Sequence, residues 1–135
     1  MPASKIDRST IACPVELTMS LISNKWKTLI IRNLLSGRKR FSELAKGLPG
    51  ISQKVLTANL RELERDGLVL RTVYPEVPPR VEYELTEIGM SLKQIIEVML
   101  VWGCSYQQKM YGHSNEALAR KLIFGEGAQS LQQRA

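Results

Sequence analysis

The residues best suited to chemistry here are Gln53, Lys54, Thr57, Ala58 and Arg61, spaced so that they share one side of a helix. Turning residues 52–66 at about 100° per residue gathers Leu56, Leu60 and Leu63 on one side, with Val55 on its shoulder. The other side carries Lys54, Thr57, Ala58, Arg61 and Arg65, with Gln53 near the helix start. A helix enters the major groove of B-form DNA only if its outward side is narrow, lacks bulky apolar groups and presents hydrogen-bonding atoms. Ala58 permits close approach, Gln53 suits an adenine edge, Lys54 or Arg61 a guanine, and Thr57 a thymine methyl or a phosphate. Ser52 ahead of the helix places its first amides to receive a phosphate.

Other reactive groups are few. Arg38, Lys39 and Arg40 form a basic triplet placed to clamp a nucleic-acid backbone, and Arg80 can do the same from a proline-stiffened tip. Cys13 precedes Pro14 at the expected start of a helix, where the positive end of the macrodipole favours the thiolate. Lys5 and Arg8 add to this if the amino-terminal arm folds back; burial as a small apolar residue is the alternative. Cys104 lies on a long apolar helix, and burial is the simpler expectation for it. Two thiols and a single His113 make no metal cluster. No nucleophile, base and orienting group stand in a recognisable arrangement, and no glycine loop cradles a phosphate, so neither an enzyme nor a cofactor is expected.

These residues need elements to hold them. Residues 1–12 read as a flexible arm. With Cys13 as N-cap and Pro14 at the first position, a helix carries Val15, Leu17, Leu21 and Ile22. A second begins near Asn24, turns Trp26, Leu29, Ile30 and Leu34 inward and stops at Gly37. Ser42 is expected to cap a short helix through Lys46, with Phe41 and Leu44 inward and Gly47 ending it in the left-handed conformation. A Leu48-Pro49-Gly50-Ile51 turn leads to Ser52, which caps a helix reaching Asp66 and ending at Gly67. This is a helix-turn-helix pattern.

From Val69 to Tyr74 and from Val81 to Leu85 the period changes to that of strands, around a Pro75-Glu76-Val77-Pro78-Pro79-Arg80 tip that three prolines exclude from any ladder. Thr86 is expected to cap one long helix continuing past Trp102. Its apolar residues, among them Ile95, Ile96, Met99, Leu100 and Trp102, exceed a single stripe, so a second copy of the helix is expected to cover them. The alternative is cover by the N-terminal helix of the same chain. Residues 112–135 are expected to form a partly mobile tail. The fold class is mainly α with a small β-hairpin: a winged helix-turn-helix over 13–111 with N- and C-terminal dimerisation helices.

A chain of 135 residues has room for one core. Of the net charge of +6, residues 32–71 hold nine Lys/Arg against four Asp/Glu, while residues 72–135 hold six against seven. A surplus in one stretch suits a polyanion. The apolar run Ile95 to Cys104 is short of the ~20 residues that cross a bilayer, no secretory h-region follows Lys5 and Arg8, and two distant cysteines suit a reducing compartment. A cytoplasmic protein is expected, with no membrane partner.

Several stretches sharpen this. Cys13-Pro14-Val15-Glu16, Lys25-Trp26, Arg40-Phe41-Ser42-Glu43-Leu44, Leu48-Pro49-Gly50-Ile51-Ser52, Lys54-Val55-Leu56-Thr57, Leu60-Arg61-Glu62-Leu63-Glu64, Asp66-Gly67-Leu68 and Tyr74-Pro75-Glu76-Val77-Pro78-Pro79-Arg80-Val81-Glu82-Tyr83 occur in order. Together they resemble the HxlR family of bacterial winged helix-turn-helix regulators, over about residues 12–104. The resemblance implies a homodimer on a roughly palindromic double-stranded DNA operator. It also implies a redox role for Cys13, because some HxlR-like regulators sense oxidants or small electrophiles through a cysteine at the matching position. Where family members often carry a polar residue after the Thr of the recognition helix, this chain has Ala58, so the resemblance implies DNA binding without implying the operator sequence. The competing reading is a winged helix that docks an acidic protein partner.

Overall fold

Asn24 shows how the first helices form. Its side chain accepts a hydrogen bond from the Lys27 amide at 2.9 Å, and so caps the helix that follows. In the computed structural model, which describes residues 7–124, that helix is α2, Lys25–Leu34, preceded by α1, Pro14–Ile22, with Cys13 at its N-cap. A two-residue strand β1, Lys39–Arg40, runs into α3, Phe41–Lys46; α4 spans Gln53–Arg65. Strands β2, Val69–Tyr74, and β3, Arg80–Leu85, form the hairpin. Then come α5, Glu87–Ser91, α6, Lys93–Tyr111, and α7, Glu116–Phe124. Ile30, Ile31, Leu34, Leu44, Leu48, Leu56, Leu60 and Leu63 are buried, so α2, α3 and α4 share one core.

The hairpin is one strand wider than its period suggests. β1 pairs antiparallel with β3, Lys39 opposite Tyr83 and Arg40 opposite Glu82, giving the sheet order β1-β3-β2. Two residues are too few to show an alternating pattern, so only the pairing reveals this strand. Arg80, expected in the tip, is the first residue of β3 and sits opposite Tyr74.

Three caps differ from expectation. Ser42 lies inside α3, because the strand enters the helix directly at Phe41 and the Glu43 carboxylate accepts from the Arg40 amide at 3.0 Å. Gly47 has φ −77°, not a left-handed value. Its role is space: the Asn33 side chain donates to its carbonyl at 3.0 Å, and a Cβ there would lie 2.8 Å from that nitrogen. The left-handed turn residue is Gly50, with φ 90°. Thr86 does cap a helix, accepting from the Gly89 amide at 3.1 Å, but that helix ends at Ser91. The Leu92 amide closes back on the Gly89 carbonyl at 3.1 Å, and α6 starts anew.

The ends also carry structure. The described part of the arm forms a 3-10 turn, Arg8–Thr10, and Arg8 joins Asp66 at 2.8 Å, the C-cap of α4. Lys5 and the rest of residues 1–6 lie outside the described residues, as do 125–135 of the expected mobile tail. The tail's nearer part forms α7, which packs against α2 and α6 of the same chain. Taken together, Glu87–Tyr111 is long and apolar enough to cross a bilayer by length and composition alone, although Ile95 to Cys104 is not.

Candidate nucleic-acid interface

Ser52 starts α4 as its residue type requires, its hydroxyl accepting from the Val55 amide at 3.1 Å. Leu56, Leu60 and Leu63 then fill the core, which leaves Gln53, Lys54, Ala58 and Arg61 exposed and Thr57 half-buried. These five line one open, shallow concavity. Neither Lys54 nor Arg61 has an ionic partner among the described residues. The side of α4 read from spacing is therefore the side the fold leaves open.

Two residues that position this helix do not stand out from spacing alone. Asn59 is buried; it donates to the Val55 carbonyl at 2.8 Å and accepts from the Asn24 side chain at 2.9 Å. Lys27 is buried too, and its ammonium reaches Glu62 at 2.6 Å. Both tie α2 to α4. A Lys in a run of apolar helix residues is the available signal, since burying it demands an anion.

The arginines expected to clamp a backbone behave differently. Arg38 donates to Glu84 at 3.1 and 3.2 Å and to the Tyr74 hydroxyl at 2.9 Å, and lies 3.4 Å from Glu82. The Glu84 hydrogen bond and charge raise the Arg38 guanidinium above its ordinary range. Arg80 stacks 4.0 Å over the Tyr74 ring, with Glu76 at 3.3 Å and Glu82 at 3.5 Å. Lys39 donates to the Ser36 hydroxyl at 3.0 Å, while Arg40 is exposed beside α3. Arg38 and Arg80 thus arrive with carboxylates attached.

Cys13 is exposed at the N-terminus of α1. Arg8, expected beside it if the arm folds back, is engaged with Asp66 and Ser20 instead. Cys104 is partly buried in a cleft between α6 and α7 that also contains Lys109 and Glu116, with a volume of about 460 Å³. Burial, and then the charge of Glu116, push its thiol up. Of the α6 residues expected at a subunit interface, Ile95, Met99 and Trp102 are exposed. Ile96 is not: it is 5% exposed in the chain's own core, and Leu100 packs on that core. The helical period explains the split, since positions 92, 96 and 100 fall on one side and belong to the monomer. Among the described residues no group of three or more His, Cys, Asp or Glu stands ready to hold a metal.

A short helix, a turn through Gly50, a basic exposed helix and a three-stranded wing define a winged helix-turn-helix transcription regulator. The chain belongs to the HxlR-like helix-turn-helix family, which residues 21–111 match. It is 45% identical over 109 residues to the HTH-type transcriptional regulator YtcD of Bacillus subtilis (strain 168), covering 81% of this chain and 86% of that one. Among solved structures it is similar to the redox regulator HypR in its reduced form, at 44% identity and a TM-score of 0.70 over 75% of this chain and 100% of that one. It is also similar to the reduced transcriptional regulator YodB of B. subtilis, at 39% identity and a TM-score of 0.63 over 77% and 100%.

Proposed function

We propose that two copies of this chain bind a near-palindromic operator, each placing α4 in a major groove, with Cys13 adjusting operator affinity in response to an oxidant or electrophile. The observation that carries the reading is the open side of α4, where Gln53, Lys54, Thr57, Ala58 and Arg61 line one concavity and the two cations have no ionic partner among the described residues. Unpaired cations beside amide and hydroxyl groups suit a surface that must meet both phosphates and base edges. Arg38, Lys39, Arg40 and Arg80 lie on the wing side of the same contact, and Ser52 offers its helix amides to a phosphate.

The partner for the second copy is the exposed side of α6. Ile95, Val98, Met99, Trp102 and Met110 are all exposed there. So large an apolar surface on a small chain calls for cover. A second α6 supplies it with matching chemistry and the two-fold symmetry that a palindrome requires. Such a dimer works as a soluble, cytoplasmic protein.

An exposed thiol at a helix N-terminus supports the role of Cys13, and the redox regulator HypR is a structural neighbour. Diamide oxidation would join Cys13 to a second thiol, with diamide taking up the two electrons and two protons released. The test is selection of bound duplexes from a random pool, with and without diamide, followed by anisotropy titration. One enriched, two-fold symmetric sequence with half-sites about 34 Å apart is expected. Cys13→Ser should keep its affinity under reducing conditions and lose the diamide response. Equal affinity for selected and random duplex would overturn the reading and favour a module that docks an acidic protein.

A further inference from the structure

We propose that Glu82 is a specificity-determining residue. With Glu84 and Glu76 it keeps Arg38 and Arg80 folded onto the wing and away from the backbone of non-cognate duplex. This rests on the reading of α4 as the DNA-facing helix. The geometry is that of one carboxylate shared by two guanidinium groups: Glu82 Oε2 lies 3.4 Å from Arg38 Nη1, and its Oε1 lies 3.5 Å from Arg80 Nε. Glu84 holds the far side of Arg38 at 3.1 Å, and Glu76 the far side of Arg80 at 3.3 Å. Tyr74 stands between them, its hydroxyl on Arg38 and its ring beneath Arg80. Of the three carboxylates Glu82 is the most shielded, with 14% of its side chain exposed against 33% for Glu84 and 53% for Glu76.

Phosphate contacts raise affinity for every sequence equally. A free arginine on the wing would therefore strengthen random binding as much as cognate binding. An arginine already paired with a carboxylate must exchange one anion for another, and the exchange favours phosphate only where α4 has seated the duplex against the wing. Lys54 and Arg61, which face the bases in this reading, carry no such counter-ion among the described residues. Two arginines against three glutamates leave the wing patch with no excess positive charge, so discrimination rises through weaker binding to the wrong duplex.

The experiment is anisotropy of the full chain on selected and random duplexes across a salt series. Glu82→Gln is expected to tighten random-duplex binding about tenfold at low salt and to steepen the plot of log affinity against log salt by about 0.9 for each guanidinium released. Binding to the selected duplex should tighten less, so the preference falls. In an Arg38→Ala/Arg80→Ala background the same substitution should change neither quantity. Glu84→Gln loosens Arg38 and leaves Arg80 as it is, so it should give about half the change in slope or less; it is the working variant if thermal melting shows Glu82→Gln to be unfolded. An unchanged slope, equal tightening on both duplexes, or a gain that persists without the two arginines would each overturn the proposal. If the wild type shows no preference between duplexes, the reading of α4 fails, while the slopes on random duplex still decide whether the carboxylates hold the arginines back.

Discussion

The Lys27 ammonium lies 2.6 Å from Glu62, joining a buried position on α2 to the outward shoulder of α4. An ammonium taken out of water needs an anion, so this pair ties the angle of α4 to the core beneath it. Glu62 remains 43% exposed, which screens the interaction. Glu62→Gln should cost about 1–2 kcal/mol, less than the loss of a fully buried partner, because water reaches the carboxylate. The double substitution Lys27→Met/Glu62→Gln should recover part of that in urea unfolding, since no buried charge is then left alone.

Asn24 makes two bonds with one amide group, capping α2 through its oxygen and reaching Asn59 on α4 through its nitrogen. Asn24→Ala should destabilise by about 2 kcal/mol, the sum of a cap and a hydrogen bond. Asn24→Ser restores the cap alone and should recover about half in thermal unfolding.

Gly89 sits where α5 crosses the start of the wing, and a Cβ there would lie 2.1 Å from the Leu68 carbonyl oxygen. Replacing a helical glycine by alanine normally stabilises by about 0.5–1 kcal/mol. Here Gly89→Ala should destabilise by about 2–3 kcal/mol, because the obstacle is backbone and cannot swing aside.

Arg61→Ala should weaken binding to the selected duplex by about 1–3 kcal/mol and relax the preference at one base position if the side chain meets a base edge. Ala58→Leu should weaken it without altering the salt slope, since it adds bulk and removes no charge. Anisotropy titrations over a salt series separate the two effects.

The raised Cys104 thiol favours the protonated form, so less thiolate is available near neutral pH than for a free cysteine. Its alkylation by iodoacetamide should therefore lag that of exposed Cys13, and its rate profile should lie at higher pH than that of a model thiol. Glu116→Gln removes the smaller of the two causes and should accelerate Cys104 modestly; mass spectrometry of each peptide gives both rates.

Helix α4 was legible from the chain because its signals are local. Ser52 caps the helix it precedes, three leucines recur at helical spacing, and Lys54, Ala58 and Arg61 fall on the side away from them. The hairpin declared itself the same way, through β-branched alternation on either side of prolines. Residue order alone was thus sufficient for the winged helix-turn-helix and for the side of α4 that stays open.

What needed the third dimension was every pairing between distant positions. Lys39 and Arg40 become a strand only because β3 offers them an edge, and Arg38 and Arg80 become ion-paired only because Glu82 lies between them in space. Ile96 is taken by the monomer's core while its neighbour Ile95 stays exposed, although the two are chemically alike in sequence. Helical and strand periods follow from bonds between near neighbours, and a sequence displays them directly. The neutralisation of a charge, the burial of Lys27 and the division of α6 between core and surface depend on which remote groups the fold brings within a few ångströms, and there only the tertiary structure decides.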